Sequence, residues 1–253
     1  MLADCQHTAA YLREARLRPD RALEVLPDCV DTRRFRPGPP RGEVVARLGL
    51  PDPSRHVVIL TLGRLVAAAA HKGYERLLDA FARAAPRMPE LRLVFAGGGA
   101  LGAALRARAG ALGIVDRVTF TGPIREDDLV EVYRACDVFS LVSDRGPRRG
   151  EGLPLAPLEA AACGKPVLVG DQDGSREAAD HGETGYVLDP FDLDGHAARL
   201  VQLARDPALR ARLGEAGLAR VRERHDYPVF RRTLARHLER LERQGARRRR
   251  FAS

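Results

Sequence analysis

Residues 149–174, RGEGLPLAPLEAAACGKPVLVGDQDG, restrict the possible folds more than any other stretch. An apolar run at 138–142 leads into a Gly- and Arg-rich loop at 144–152, and the small-residue segment from Pro154 to Cys163 reads as a short helix. Gly164 stops that helix, and Lys165-Pro166-Val167-Leu168-Val169 starts another strand. Strand, loop, helix and strand in this order place a helix N-terminus at the carboxyl end of a parallel sheet. Glu151 lies on the loop and Glu159 in the helix, with seven residues between them. With about 3.6 residues per turn, both can look toward one ligand lying across the helix start. The macrodipole alone also favours acidic side chains there, so each Glu by itself is equally consistent with plain capping.

The rest of the chain alternates in the same manner. Strands are expected at 22–26, 56–63, 91–96, 118–120, 138–142, 165–169 and 185–188. Helices are expected at 3–16, 74–85, 101–112, 127–135, 175–180, 193–204, 207–222 and 227–244. The runs at 56–63 and 91–96 are continuously apolar, as in buried parallel strands. This pattern predicts an α/β fold with a doubly wound, Rossmann-like parallel sheet.

Composition narrows the class. A hydrophobic fraction of 45% and a charged fraction of 30% over 253 residues suit a globular chain with a sizeable core. No apolar run approaches the roughly 18 residues of a membrane span. The start, MLADCQHTAA, lacks the basic-then-apolar order of a signal peptide. Cys5, Cys29, Cys136 and Cys163 show no metal-like or redox spacing and read as reduced thiols, which points to the cytoplasm. Net charge is +8, but residues 231–253 hold nine Arg against two Glu and so account for +7 of it. The basicity therefore belongs to the tail. Arg247-Arg248-Arg249-Arg250 suits either weak contact with an anionic membrane face or a solvated end; specific nucleic-acid binding is not expected. No histidine pair has metal-ligand spacing, and neither a metal nor another cofactor is expected.

EGLPLAPLEAAACGKPVL resembles the donor-sugar motif of the retaining GT-B glycosyltransferases, especially family 4 (glycosyl transferases group 1). Further matches lie in the expected order: Gly63-Arg64 with Lys72-Gly73, Gly97-Gly98-Gly99, and Thr121-Gly122-Pro123-Ile124. Pro27-Asp28-Cys29-Val30-Asp31, followed by Phe35 and Pro37, resembles the family's interdomain connection, with Cys29 where the family has Gly. The resemblance implies the C-terminal, donor-binding half of a GT-B fold. Residues 1–26 would be a remnant of the N-terminal domain, 27–226 the nucleotide-sugar-binding domain, and 227–253 a cross-over helix and basic tail.

The resemblance also implies roles. Arg64 and Lys72 would hold the donor diphosphate, and Arg can do so bidentately. With Glu151, which matches the carboxylate near the donor sugar hydroxyls, they are the candidate catalytic residues. Glu159 matches the carboxylate that takes the ribose hydroxyls. Gly63, Gly97, Gly122, Ile124 and the backbone at Gly152, Leu153 and Leu155 complete the candidate donor site. Asp171 and Asp173-Gly174-Ser175 depart from the commoner Gly-Gly pair before a Glu, here Glu177. The implied activity is transfer of a sugar from a nucleotide-sugar to an acceptor hydroxyl with retention, with a separate N-terminal GT-B domain as partner. The alternative is a non-catalytic module binding a nucleotide diphosphate or a partner chain.

Overall fold

The computed structural model describes residues 1–15, 23–146 and 150–251, with side chains described as far as residue 243. Arg149, the Arg16 and Ala22 ends of the first expected helix and strand, and the Arg247–Arg250 side chains lie outside the described residues.

Among the described residues one sheet contains β3 (Val57–Leu62), β4 (Leu91–Ala96), β5 (Val118–Phe120), β6 (Val138–Leu141), β7 (Val167–Gly170) and β8 (Gly185–Leu188). Its spatial order is β5-β4-β3-β6-β7-β8, and every pairing is parallel. This is a doubly wound, Rossmann-like α/β sheet. The order reverses between β3 and β6, and the crevice at such a reversal is where ligands bind in these sheets.

The strands are apolar because both faces are covered. In β3, Ile59 joins a cluster with Leu78, Phe81, Leu93 and Leu200, while Val58 and Leu60 join a second with Val94, Phe139, Leu158 and Val221. Successive side chains point to opposite faces of a strand, so a continuous apolar run feeds two cores. One is closed by α3 (Tyr74–Ala84), α4 (Leu101–Ala111) and α7 (Leu193–Arg205), with α3 lying on α7. The other is closed by α5 (Leu129–Arg134), α6 (Leu155–Ala162) and α8 (Pro207–Arg224), with α6 on α8. Phe81 is fully buried, and burial of such a side chain contributes roughly 1.5–3 kcal/mol.

Several expectations need correction. The helix expected at 3–16 starts later, as α1 (Gln6–Glu14), because the Cys5 thiol caps it by accepting from the Thr8 N–H at 3.4 Å. Ahead of it lies an unexpected two-residue strand, β1 (Leu2–Ala3), which pairs in parallel with β2 (Glu24–Val25). The strand expected at 22–26 is thus only two residues long where described. A further helix, α2 (Gly42–Leu48), was not anticipated; no side chain caps its start, and Gly49 ends it in the left-handed conformation. The segment at 127–135 is a short 3-10 turn, Glu126–Asp128, followed by α5.

The last helix, α9 (Tyr227–Phe251), runs beyond the expected end. It returns to the chain start, where His237 and Arg240 both pair with Glu24. Leu238 and Leu241 stay exposed. No described helix is long and apolar enough to cross a membrane.

Candidate functional site

The exits of β3 and β6 flank the reversal of strand order, and the candidate charges gather there. Gly63 and Arg64 follow β3. The chain then makes a 3-10 turn, Ala67–Lys72, before α3. Glu151 sits beyond β6 on the loop that leads to α6. Lys72 Nζ contacts Glu151 Oε1 at 2.8 Å, and His71 Nε2 contacts the same oxygen at 2.7 Å. The three side chains are only 14–20% exposed. Burial pushes the Glu151 carboxyl upward, but the Lys72 charge and the two hydrogen bonds outweigh it, so its pKa lies below the ordinary value and the group is ionised.

Tyr74, first residue of α3, ties this cluster to the end of β3. Its hydroxyl donates to the Arg64 carbonyl at 3.3 Å. Burial raises the phenol pKa, the Glu151 charge adds to the rise, and the Arg64 charge opposes it. The side chain of Arg64 is exposed and has no hydrogen bond or ion pair among the described residues. The Tyr74 phenol therefore links the Arg64 backbone to the surroundings of the Lys72–Glu151 pair.

Gly97 joins this cluster from β4. Its φ is +123°, and a Cβ there would lie 2.1 Å from the Gly63 carbonyl oxygen, so only glycine allows the β3 and β4 exits to close on each other. Its N–H donates to the Gly122 carbonyl at 3.0 Å, which brings in the β5 exit. Ile124 is half-buried against the core on the side of α5. Backbone packing accounts for Gly97, the Tyr74 hydroxyl for Gly63, and the left-handed φ of +72° for Gly122.

Glu159 belongs to a separate group. Its Oε2 accepts from the buried Tyr133 hydroxyl at 2.6 Å. Burial pushes its pKa up; the Tyr133 bond and the Arg34 charge pull it down, and burial prevails. Arg34 pairs with Glu126 at 2.5 Å, and the Glu126 charge also acts on Glu159, so this carboxylate faces the segment that follows Ile124.

The start of α6 is partly occupied. Pro154 is its cap residue, ahead of the first turn rather than within it, and no side chain caps the helix. The Leu153 N–H donates to Asp4 Oδ2 at 3.1 Å, so an oxygen of any ligand must displace Asp4 to reach it. Leu155 is exposed. Glu177, close to Asp4 in space, accepts from the N–H groups of Gln6 and His7 at 3.0 and 2.7 Å. Residues 1–15 are thus fastened to the edge of the candidate site.

Asp173 supports Glu151 from below. It is fully buried, accepts from the Glu151 N–H at 2.9 Å and the Ser175 N–H at 2.9 Å, and receives the Ser143 hydroxyl at 3.1 Å. This explains the departure from the Gly-Gly pattern: the carboxylate holds the Glu151 loop against the β6 exit. Asp4, His71 and Tyr133 had no part in the sequence reading of the site, and Asp173 entered it only as a departure from the Gly-Gly pair. Adjacency to Lys72 was the signal available for His71. A nearby cavity of about 720 Å³, lined by Ala67, Ala70, Leu101 and Leu105 among others, shares His71 and Tyr74 with this cluster. Arg64, Lys72, Glu151 and Glu159 do not line it.

The profile of the family described as "Glycosyl transferases group 1" matches residues 49–220. The chain is 37% identical over 202 residues to the GDP-mannose-dependent alpha-(1-6)-phosphatidylinositol monomannoside mannosyltransferase of Mycolicibacterium smegmatis, covering 79% of this chain and 51% of that protein. It superposes on the sucrose-phosphate synthase of Thermosynechococcus elongatus with a TM-score of 0.79 at 26% identity, covering 96% of this chain and 58% of the other. Anabaena Alr3699/HepE, solved in complex with UDP-glucose, gives a TM-score of 0.79 at 21% identity, over 94% of this chain and 63% of that one, and so shares the fold. The chain spans about half the length of the curated relatives it matches. It belongs to the group 1 glycosyltransferases.

Proposed function

We propose that this group 1 glycosyltransferase chain supplies the donor-binding half of an enzyme that moves a sugar from a nucleoside diphosphate to an acceptor hydroxyl with retention. The observation that carries the reading is the Lys72–Glu151 ion pair beside the end of β3, where the Tyr74 hydroxyl holds the Arg64 carbonyl, at the reversal of strand order. An anionic ligand there meets two cations, one of them unpaired among the described residues, and beside them an ionised acceptor for sugar hydroxyls. The base lies along Gly122 and Ile124, the ribose hydroxyls reach Glu159, the diphosphate lies between Arg64 and Lys72, and the sugar lies over Glu151.

In transfer, the bond from the anomeric carbon to the diphosphate breaks and a bond to the acceptor oxygen forms. The acceptor's proton passes to an oxygen of the departing diphosphate, which takes the bonding electron pair and the negative charge that develops with it. Arg64 and Lys72 face that charge; loss of one such preorganised donor lowers a rate by roughly 10²–10³. The acceptor comes from a second domain, and closure of the two excludes water. The reading places the chain in the cytoplasm, with the basic tail at 231–253 as its contact with anionic headgroups.

The named mannosyltransferase relative makes GDP-mannose the first donor to test, and HepE makes UDP-glucose the second. Calorimetric titration with GDP, UDP, GDP-mannose and UDP-glucose should give saturable one-to-one binding of at least one diphosphate and its sugar. Absence of binding to all four would reject the reading.

A further inference from the structure

We propose that His71 is a positioning residue that retains Glu151 while Lys72 is handed from that carboxylate to an anionic ligand. The inference rests on the donor-site reading above and adds a part that the family resemblance did not supply. Its basis is that His71 and Lys72 both hold Oε1 of Glu151, at 2.7 and 2.8 Å. Two donors on one oxygen of a shielded carboxylate are more than neutralisation requires. They differ in kind. Lys72 carries a full charge on a flexible stem, and any diphosphate entering beside Arg64 competes with Glu151 for it. The His71 ring carries no such obligation.

The ring is also fixed in one role. Its Nδ1 is buried with no hydrogen-bond partner among the described residues. A proton on Nδ1 would be a buried donor without an acceptor, which is unfavourable. The neutral ring with its proton on Nε2, donating to Glu151, avoids that. The backbone of His71 is held in turn, since its carbonyl accepts from the Asp144 N–H at 2.9 Å and from the Arg76 guanidinium at 3.4 Å. Asp144 lies on the β6–α6 loop that carries Glu151, and Arg76 pairs with the Asp144 carboxylate at 2.8 Å. His71 is therefore attached to that loop through both its ring and its main chain.

When Lys72 turns to the ligand, Glu151 would be left ionised and largely desolvated without His71. Either Lys72 would stay, or Glu151 would take up a proton. Both weaken the ligand. With His71 in place the carboxylate keeps a donor on Oε1 and leaves its second oxygen for a sugar hydroxyl.

A double-mutant cycle on the whole chain tests this, with GDP, UDP and their sugars as probes. His71→Phe should weaken whichever nucleotide binds by at least about tenfold, the scale of a hydrogen bond to a charged group. His71→Gln, whose amide can present an N–H to the same oxygen, should stay within about threefold of the parent. In a Glu151→Gln background no charge is stranded, so adding His71→Phe should cost little. Ring nitrogen shifts of His71 in the free protein should show a protonated Nε2 and a bare Nδ1. An equal penalty for His71→Phe in both backgrounds, or the opposite tautomer, would overturn the inference while leaving the donor site standing. A parent chain that binds none of the four ligands would overturn the donor reading and this inference with it.

Discussion

Replacing Gly152 with alanine should loosen residues 1–15 from the domain. The φ of Gly152 lies outside the left-handed region, so an alanine there is not strained by its backbone. The obstacle is Asp4. A Cβ at 152 would lie 1.9 Å from Asp4 Oδ2 and 2.9 Å from its Cγ, far inside contact distance. Asp4 must move by more than an ångström, and the bond it accepts from the Leu153 N–H at 3.1 Å is then lost. A hydrogen bond to a charged group contributes about 1.5–3 kcal/mol. The local opening of residues 1–15 should thus become roughly ten- to a hundredfold more frequent.

Amide hydrogen exchange reads this directly. The Gln6 and His7 amides, held by Glu177, should exchange faster in Gly152→Ala while amides in β3 and β4 stay unchanged. Asp4→Ala should produce the same loosening, and the double variant should be no looser than Asp4→Ala alone, because the new methyl group then meets no carboxylate. Unchanged exchange at Gln6 and His7 in Gly152→Ala, or additive effects in the double variant, would refute the argument that this glycine is required by Asp4.

Three other outcomes are expected. Arg64→Ala and Lys72→Ala should each weaken the bound nucleotide diphosphate by about tenfold or more in calorimetry, and unchanged affinity in both would remove the assignment of a diphosphate to these cations. Glu159→Gln should weaken nucleotides with a free ribose diol more than their 2′,3′-dideoxy analogues, whereas equal losses would make Glu159 a partner of Tyr133 alone. His196 and His225 are buried, and burial pushes both down from 6.5 to about 4. The stability that their neutral forms allow is complete above the unfolded value and is lost as pH falls toward the folded one, by about 2 kcal/mol each between pH 7 and 5. Chemical denaturation over that range should show the loss, with a shallower dependence in His196→Gln; a flat profile in the parent would contradict it.

The sheet was legible because its signal is local. A strand covered on both faces must be apolar at every position, and 56–63 and 91–96 are read that way without knowledge of their neighbours. The same holds for Gly97 and Gly122, where a turn residue follows a strand. Short elements carry too few residues to show a period: β1 and β2 are two residues each, and α2 offers seven residues with no capping side chain. Chain distance limits the site in a different way. Lys72 and Glu151 could be named from their motifs, but the use of Glu151 depends on His71, 80 residues away, and Leu153 is engaged by Asp4 across 149 residues. Asp173 makes the case most fully. As a sequence feature it is a departure from a Gly-Gly pair. In the fold it is a fully buried carboxylate with the Glu151 and Ser175 amides and the Ser143 hydroxyl arranged around it. A buried charge is tolerated only when its partners are in place, and those partners come from three separate stretches of chain. The carboxylates along this crevice thus divide by surroundings rather than by residue type. Asp173 is enclosed by fixed donors and holds a loop, whereas Glu151 is held on one oxygen by side chains, one of which can move. That difference makes Glu151, rather than Asp173, the carboxylate able to meet a ligand.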